Sequence, residues 1–203
     1  ILRDECENEE QCNLFEQIVI ELDRVNRTIH SLLGFARPSV PKRVPTDVRA
    51  LIEDSVHLVR PNLRKQNITL EVDVAPNLET FRLDPTHIRH VLVNLVTNSV
   101  DAIENGGKIS IRAITSSDRN ELFLSVSDDG PGIAANLHSK VFDPFFTTKF
   151  TGTGLGLAVV SSLVSRNGGV IELMSEPGRG TTFIVLLPDD EGQIESTISE
   201  TRG

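Results

Sequence analysis

Ser127-Asp128-Asp129-Gly130-Pro131-Gly132-Ile133 closes an apolar segment and opens a stretch, up to Gly156, that is rich in glycine and proline and poor in periodicity. A carboxylate at Asp128 can accept a hydrogen bond from an exocyclic amine, and Gly130 and Gly132 let the backbone approach a flat ring with no Cβ in the way. Adenine fits that description. Standing alone, the same residues also read as a plain strand-end turn. Downstream, Gly152-Thr153-Gly154-Leu155-Gly156-Leu157 leads into a helix expected from about Leu157 to Arg166, so unsatisfied backbone N–H groups at a positive helix end can face phosphates. No Gly-Lys-Ser/Thr follows, so this is not a Walker A loop, and it does not follow a first strand as a dinucleotide-binding turn should. Between the two glycine runs, Phe142-Asp143-Pro144-Phe145-Phe146-Thr147-Thr148-Lys149 places three of the chain's nine phenylalanines in a loop. Apolar aromatics there point to docking, and Lys149 is either a phosphate contact or a surface lysine.

The flanking segments frame this loop. Asp84-Pro85 supplies an N-cap followed by proline at the first helical position, and the helix should run to about Glu104 and stop at Asn105-Gly106-Gly107. On it, Asn94 and Asn98 are four residues apart and share a face, away from Ile88, Leu92, Leu95, Val96 and Ile103. Amide oxygens are competent ligands for Mg²⁺, although two such amides also suit a solvated surface. Strands are expected at 68–74, 108–115, 121–127, 170–175 and 181–187, the last entered through Gly178-Arg179-Gly180-Thr181-Thr182-Phe183. A helix begins at Asp47, with Val48, Leu51, Ile52, Val56 and Val59 on one side, and Pro61 should kink or end it. This order suits a two-layer α/β sandwich, a mixed sheet covered on one face by three helices.

Residues 1–12 are acidic and aperiodic. Phe15, Ile18, Leu22, Val25, Ile29 and Leu32 then alternate spacings of three and four, a seam that suits a coiled coil or four-helix bundle, or else a surface helix docked on its own domain. Pro38, Pro41 and Pro45 mark a stiff linker, and the acidic tail after Pro188 is expected to be disordered. The organisation expected is a partial helical bundle at 1–37, a linker at 38–46, one main domain at 47–188 and the tail at 189–203. The 203 residues carry a net charge of −9, with a pI near 5.0, which argues against nucleic acid or an anionic membrane surface as partner. Cys6 and Cys12 form neither a disulfide framework nor a zinc motif and fit free thiols in a reducing, cytoplasmic setting. No apolar run is long enough to span a membrane, and a start at Ile1 suggests a fragment whose preceding part could include membrane spans.

Taken in order, Asn94-Leu95-x-x-Asn98, Asp128-x-Gly130-x-Gly132, Phe142 to Lys149, Gly152 to Leu157 and Gly178 to Phe183 resemble the five boxes of the histidine-kinase catalytic domain. That family shares its ATPase fold with gyrase, heat-shock protein 90 and mismatch-repair MutL proteins. Asp23-Arg24 and Leu33-Gly34-Phe35-Ala36-Arg37-Pro38 are similar to the second helix of the family's dimerisation bundle, in the nitrogen-sensor-like branch. The resemblance implies ATP and Mg²⁺ as cofactors, with Asp128 on the adenine amino group, Asn98 on Mg²⁺ and Asn94 assisting at phosphates or metal. Asp101, Gly130, Gly132, Ile133, Lys149, Thr153, Gly154, Leu155, Gly156, Leu157 and Thr182 would complete the nucleotide site, with residues 133–156 as its lid. It further implies a homodimer and a response-regulator receiver domain as partner. Hydrolysing relatives carry a glutamate base where Asn94 stands, and an amide cannot take a proton from water, so transfer to a side chain is favoured over hydrolysis. None of His30, His57, His87, His90 or His138 has the acid-then-proline context of the family's phosphoacceptor, which is expected upstream of Ile1. A non-enzymatic, ATP-switched scaffold is the alternative.

Overall fold

The computed structural model describes residue 18 and residues 40–189, apart from 77, 79, 104, 105, 117–119, 150 and 151. The seam from Phe15 to Leu32, except Ile18, lies outside the described residues, as do Cys6, Cys12, His30, the Asp23-Arg24 and Leu33 to Pro38 motifs and the tail from 190 on.

Helix α1 (Val48–Lys65) starts because Asp47 accepts the N–H of Ala50 at 2.9 Å, and its buried stripe, Val48, Leu51, Ile52, Val56, Val59 and Leu63, repeats every three or four residues. Pro61 does not end it, and the helix runs on to Lys65. The proline ring faces solvent, while Val59 and Leu63 on either side are buried, so packing holds the turn that proline leaves short of one hydrogen bond. Asn67, at φ 55°, then reverses the chain into strand β2 (Ile68–Val74).

Two short strands escape sequence reading. Strand β1 (Val44–Asp47) pairs antiparallel with β3 (Thr80–Leu83), Val44 opposite Leu83 and Asp47 opposite Thr80. The stretch expected as linker through residue 46 therefore ends inside the folded unit. Helix α2 (Pro85–Ala102) follows at once, capped by Asp84, whose Oδ1 accepts the N–H groups of Thr86 and His87 at 2.9 and 3.1 Å.

Strands β4 (Gly107–Ser116), β5 (Glu121–Asp128), β6 (Val170–Ser175) and β7 (Thr181–Pro188) join β2 in one five-stranded sheet of order β2-β4-β5-β7-β6. The β2–β4 pair is parallel and the others antiparallel, so the sheet is mixed. Helix α3 (Gly156–Arg166) completes a layer in which α2 packs against both α1 and α3. Strand residues alternate faces: Ile109, Ile111, Leu122, Leu124, Val126, Phe183 and Val185 are buried beneath that layer with Val91, Leu92, Leu95 and Val160 from the helices. This is the expected sandwich, one sheet under three helices. Among the described residues between β5 and α3 the regular structure is two short 3₁₀ turns, Ala135–Leu137 and Lys140–Phe142.

Candidate nucleotide site

The site gathers where α2, the end of β5 and the start of α3 meet. Asn94 and Asn98 lie on the side of α2 that faces α3: a Cβ built on Gly156 would stand 3.3 Å from Asn94 Oδ1 and 3.8 Å from both amide atoms of Asn98. Asn94 Nδ2 donates to His90 O at 2.8 Å, which turns its oxygen toward Gly156. Asn98 Nδ2 is buried without a hydrogen-bond partner. No hydrogen bond among the described residues fixes which end of that amide faces the cleft, and a half-turn presents its oxygen as a ligand. That unmatched amide, beside a second amide oxygen and near Asp101, is a donor set suited to a hard, oxygen-seeking cation.

Helix α3 begins with no side chain capping it, so the first-turn N–H groups remain available beside these amides. Leu155 is buried and Leu157 packs against the core, so these two site candidates anchor the helix start while the backbone faces the cleft. Gly154, at φ 67°, makes the close approach possible: a Cβ there would come within 2.4 Å of Phe145 C, and Phe145 N–H donates to Gly154 O at 2.9 Å. Thr153 Oγ1 accepts from Leu155 N–H at 3.4 Å. Lys149 reaches back onto α2, its Nζ 3.4 Å from Asn98 O and 3.5 Å from Asp101 Oδ2.

Asp128 ends β5 facing the underside of α2. Its Oδ2 accepts from Ser99 Oγ at 2.8 Å and its Oδ1 from Gly130 N–H at 3.1 Å. Burial pushes its carboxyl above the usual range; the hydrogen bonds from Ser99, Gly130 and Thr181 oppose this and the charge of Asp129 adds to it. The paired aspartates divide their tasks, since Asp129 Oδ1 accepts from Lys108 N–H at 2.8 Å and ties down the start of β4. Gly132, at φ 72°, would put a Cβ 2.0 Å from Glu176 O, and Ile133 N–H donates to Ser175 Oγ at 2.8 Å, so the chain leaving Asp128 is held against the β6–β7 turn.

Thr182 is the candidate that the structure places elsewhere. Its hydroxyl is 2.9 Å from Ser127 Oγ, on the open face of the sheet, because alternation along β7 puts Thr181 and not Thr182 on the helix-covered face. Thr181 is directly opposite Asp128 in register and hydrogen-bonds it through its backbone N–H, while its hydroxyl is 3.1 Å from Ser175 Oγ. Sequence reading missed both Thr181 and Ser99. The signal for Ser99 was its place on the buried side of α2, next to Asn98.

Residues 83–191 match the family model described as histidine kinase-, DNA gyrase B- and HSP90-like ATPase. The chain is 39% identical over 168 residues to the sensor histidine kinase ZraS of Escherichia coli (strain K12), covering 83% of this chain and 36% of that protein. Among solved structures, the catalytic domain of the histidine kinase ThkA superposes with a TM-score of 0.67 at 32% identity, covering 73% of this chain and 96% of that one. ThkA in complex with the response regulator protein TrrA superposes with a TM-score of 0.72 at 28% identity, covering 89% and 51%. The chain belongs to this ATPase family, as a catalytic domain of the sensor histidine kinase type. It spans about a third of the length of the curated kinases it matches first.

Proposed function

We propose that this chain binds Mg²⁺-ATP between α2, the end of β5 and the start of α3, and that it delivers the γ-phosphoryl group to a histidine of a sensor kinase's helical bundle. The observation that carries the reading is the uncapped amino end of α3 set against the amides of Asn94 and Asn98. In this reading Asp128 accepts the adenine amino group, with Ser99 and Thr181 holding its carboxylate in place. The first-turn N–H groups of α3 and Lys149 take the phosphates, and Asn98, with Asn94 or Asp101 beside it, holds the metal. Held by these residues, Mg²⁺ would supply positive charge that offsets the charge of the phosphates. The chain's own residues position and stabilise: an acceptor imidazole nitrogen forms its bond to the γ-phosphorus as the bond to the ADP oxygen breaks. Asn94 offers no base to activate water, which favours this transfer over hydrolysis.

Supporting the wider reading are the kinase relatives and the ThkA–TrrA complex. The acceptor histidine lies in a segment outside this chain, residues 1–37 contribute a bundle helix through which two copies pair along the Phe15 to Leu32 seam, and a receiver domain takes the phosphoryl group onward. The ATP-binding unit runs from β1 to 188, with 189–203 as an acidic appendage. No helix among the described residues is long and apolar enough to cross a membrane, and the setting proposed is cytoplasmic.

The test uses γ-labelled ATP. The 203-residue chain should bind ATP in Mg²⁺ yet stay unlabelled, and a separately supplied histidine bundle should acquire acid-labile label slowly, since positioning supplies much of the rate in phosphoryl transfer. Acid-labile label on the isolated chain, lost in His30→Ala, would relocate the acceptor; ATP binding with no transfer to any histidine bundle would overturn the kinase reading.

A further inference from the structure

At the far edge of the sheet from α3, β2 is hydrogen-bonded, among the described residues, on one side only, to β4. Beside its free edge, α1 and β2 enclose a shallow groove of about 310 Å³ floored by Val56, Leu63, Leu70 and Val72 and rimmed by Arg60 and Arg64. Val72 is 40% exposed although it projects toward the helical side of the sheet. Arg60 and Arg64, one helical turn apart, have no ion pair with any carboxylate of the described residues, whereas Arg89, Lys108, Arg112 and Arg179 each have one. An unpaired strand edge, an apolar floor and two unmatched guanidinium groups together suit an extended acidic segment with apolar residues on one side, added as a strand.

The chain contains such a segment. Asp189-Asp190-Glu191-Gly192-Gln193-Ile194-Glu195-Ser196-Thr197-Ile198-Ser199-Glu200 is acidic, and its two isoleucines, four apart, fall on one side of any extended strand. Its point of departure is also suitable. Pro188 is opposite Glu121, which is opposite Ser116, and this is the same end of the sheet as Val74, the end of β2. From β7 to a strand added outside β2 is four strand spacings, roughly 19 Å, and six extended residues cover about 20 Å, so Asp189 to Ile194 can bridge that distance. Ile194 is then the first apolar residue to arrive, and the segment would run antiparallel to β2 toward Arg60 and Arg64.

We propose that the groove between α1 and the free edge of β2 is the docking site of the chain's own acidic segment 190–200, in cis. This goes beyond nucleotide binding and does not depend on it. The test is a spin label at Ser199→Cys in the full chain carrying Cys6→Ser and Cys12→Ser, read by nuclear magnetic resonance. Amide signals of Ile68–Val74 should be lost to paramagnetic broadening. They should return in Arg60→Glu/Arg64→Glu, and independently in Ile194→Asp/Ile198→Asp, which leaves the domain untouched. Adding Glu191→Arg and Glu195→Arg to the arginine variant should broaden them again. Signals unaffected in the parent, or broadening undiminished by Arg60→Glu/Arg64→Glu, overturns the proposal. Broadening that appears only when labelled and isotope-enriched copies are mixed overturns it in favour of contact between copies.

Discussion

Helix α2 meets an aspartate at each end, Asp84 buried and Asp128 half-buried, and the two are treated in opposite ways. At the amino end, Asp84 receives the N–H groups of Thr86 and His87 on one oxygen and that of Lys42, at 2.8 Å, on the other. Burial pushes its carboxyl upward, but those backbone hydrogen bonds, with the nearby His87 ring, outweigh burial and hold it below the usual range. At the carboxyl end, Asp128 meets Ser99, Gly130 and Thr181, and these do not outweigh burial, so its carboxyl stays high. A carboxylate that holds structure together is matched within the fold. One left short of partners costs the empty protein stability and is suited to a partner from outside, here the amino group proposed for adenine.

The comparison is broken most directly by exchanging charge for shape. Asp128→Asn should weaken ATP binding about tenfold, because the amide still accepts a hydrogen bond but loses charge assistance worth roughly 1–2 kcal/mol. Calorimetric titration giving the parent affinity would remove Asp128 from the adenine contact. Asp84→Ala, by contrast, should lower folding stability by about 1–2 kcal/mol through loss of the α2 cap, with little change in ATP affinity. Chemical denaturation measures the first and the same titration the second; a large affinity loss without destabilisation would reverse the assignment of roles.

Titration sharpens the contrast because the two signs differ. The folded value of Asp84 lies below its ordinary 3.8, so its contribution is present above that value and is lost as pH falls through the lower folded value. Asp128 is raised above 3.8: its favourable contribution is present below that value and is lost as pH rises through the higher folded value. Asp128→Asn should therefore gain stability over the parent near neutral pH, with the gain shrinking as pH falls into the carboxylate range. Melting curves across pH that show a constant difference would contradict the burial of an ionised Asp128. The smallest effect expected is at the neighbouring threonines. Thr181→Val should weaken ATP by a few-fold at most, about 1 kcal/mol or less, and Thr182→Val should leave it unchanged. Thr181→Val keeps the backbone N–H that bonds Asp128 and removes only the hydroxyl 3.1 Å from Ser175 Oγ. Equal losses at both would therefore mean that the strand alternation does not decide which threonine supports the site.

Local patterns carried much of this fold. Asp84-Pro85 marked the start of α2, the glycine runs marked the loop and the entry to α3, and period-two alternation marked the long strands. They failed where a segment is short or where packing overrides propensity. Strands β1 and β3 have four residues each, too few for a readable alternation, and β1 contains Pro45. Pro61 stays helical because its turn is held by buried neighbours.

The residue types needed for chemistry, two amides a turn apart, an aspartate before glycines and a glycine-led helix start, are properties of the linear order, since helical spacing and glycine's freedom act locally. Which residues complete them is not local. Thr181 in place of Thr182 depends on the register of β7 against β5, and Ser99 beneath Asp128 depends on how α2 crosses the end of that strand. The unmatched state of Asp128 depends on counting every donor that folding brings near a buried oxygen, and those donors come from α2, the turn after β5 and β7, far apart in the chain.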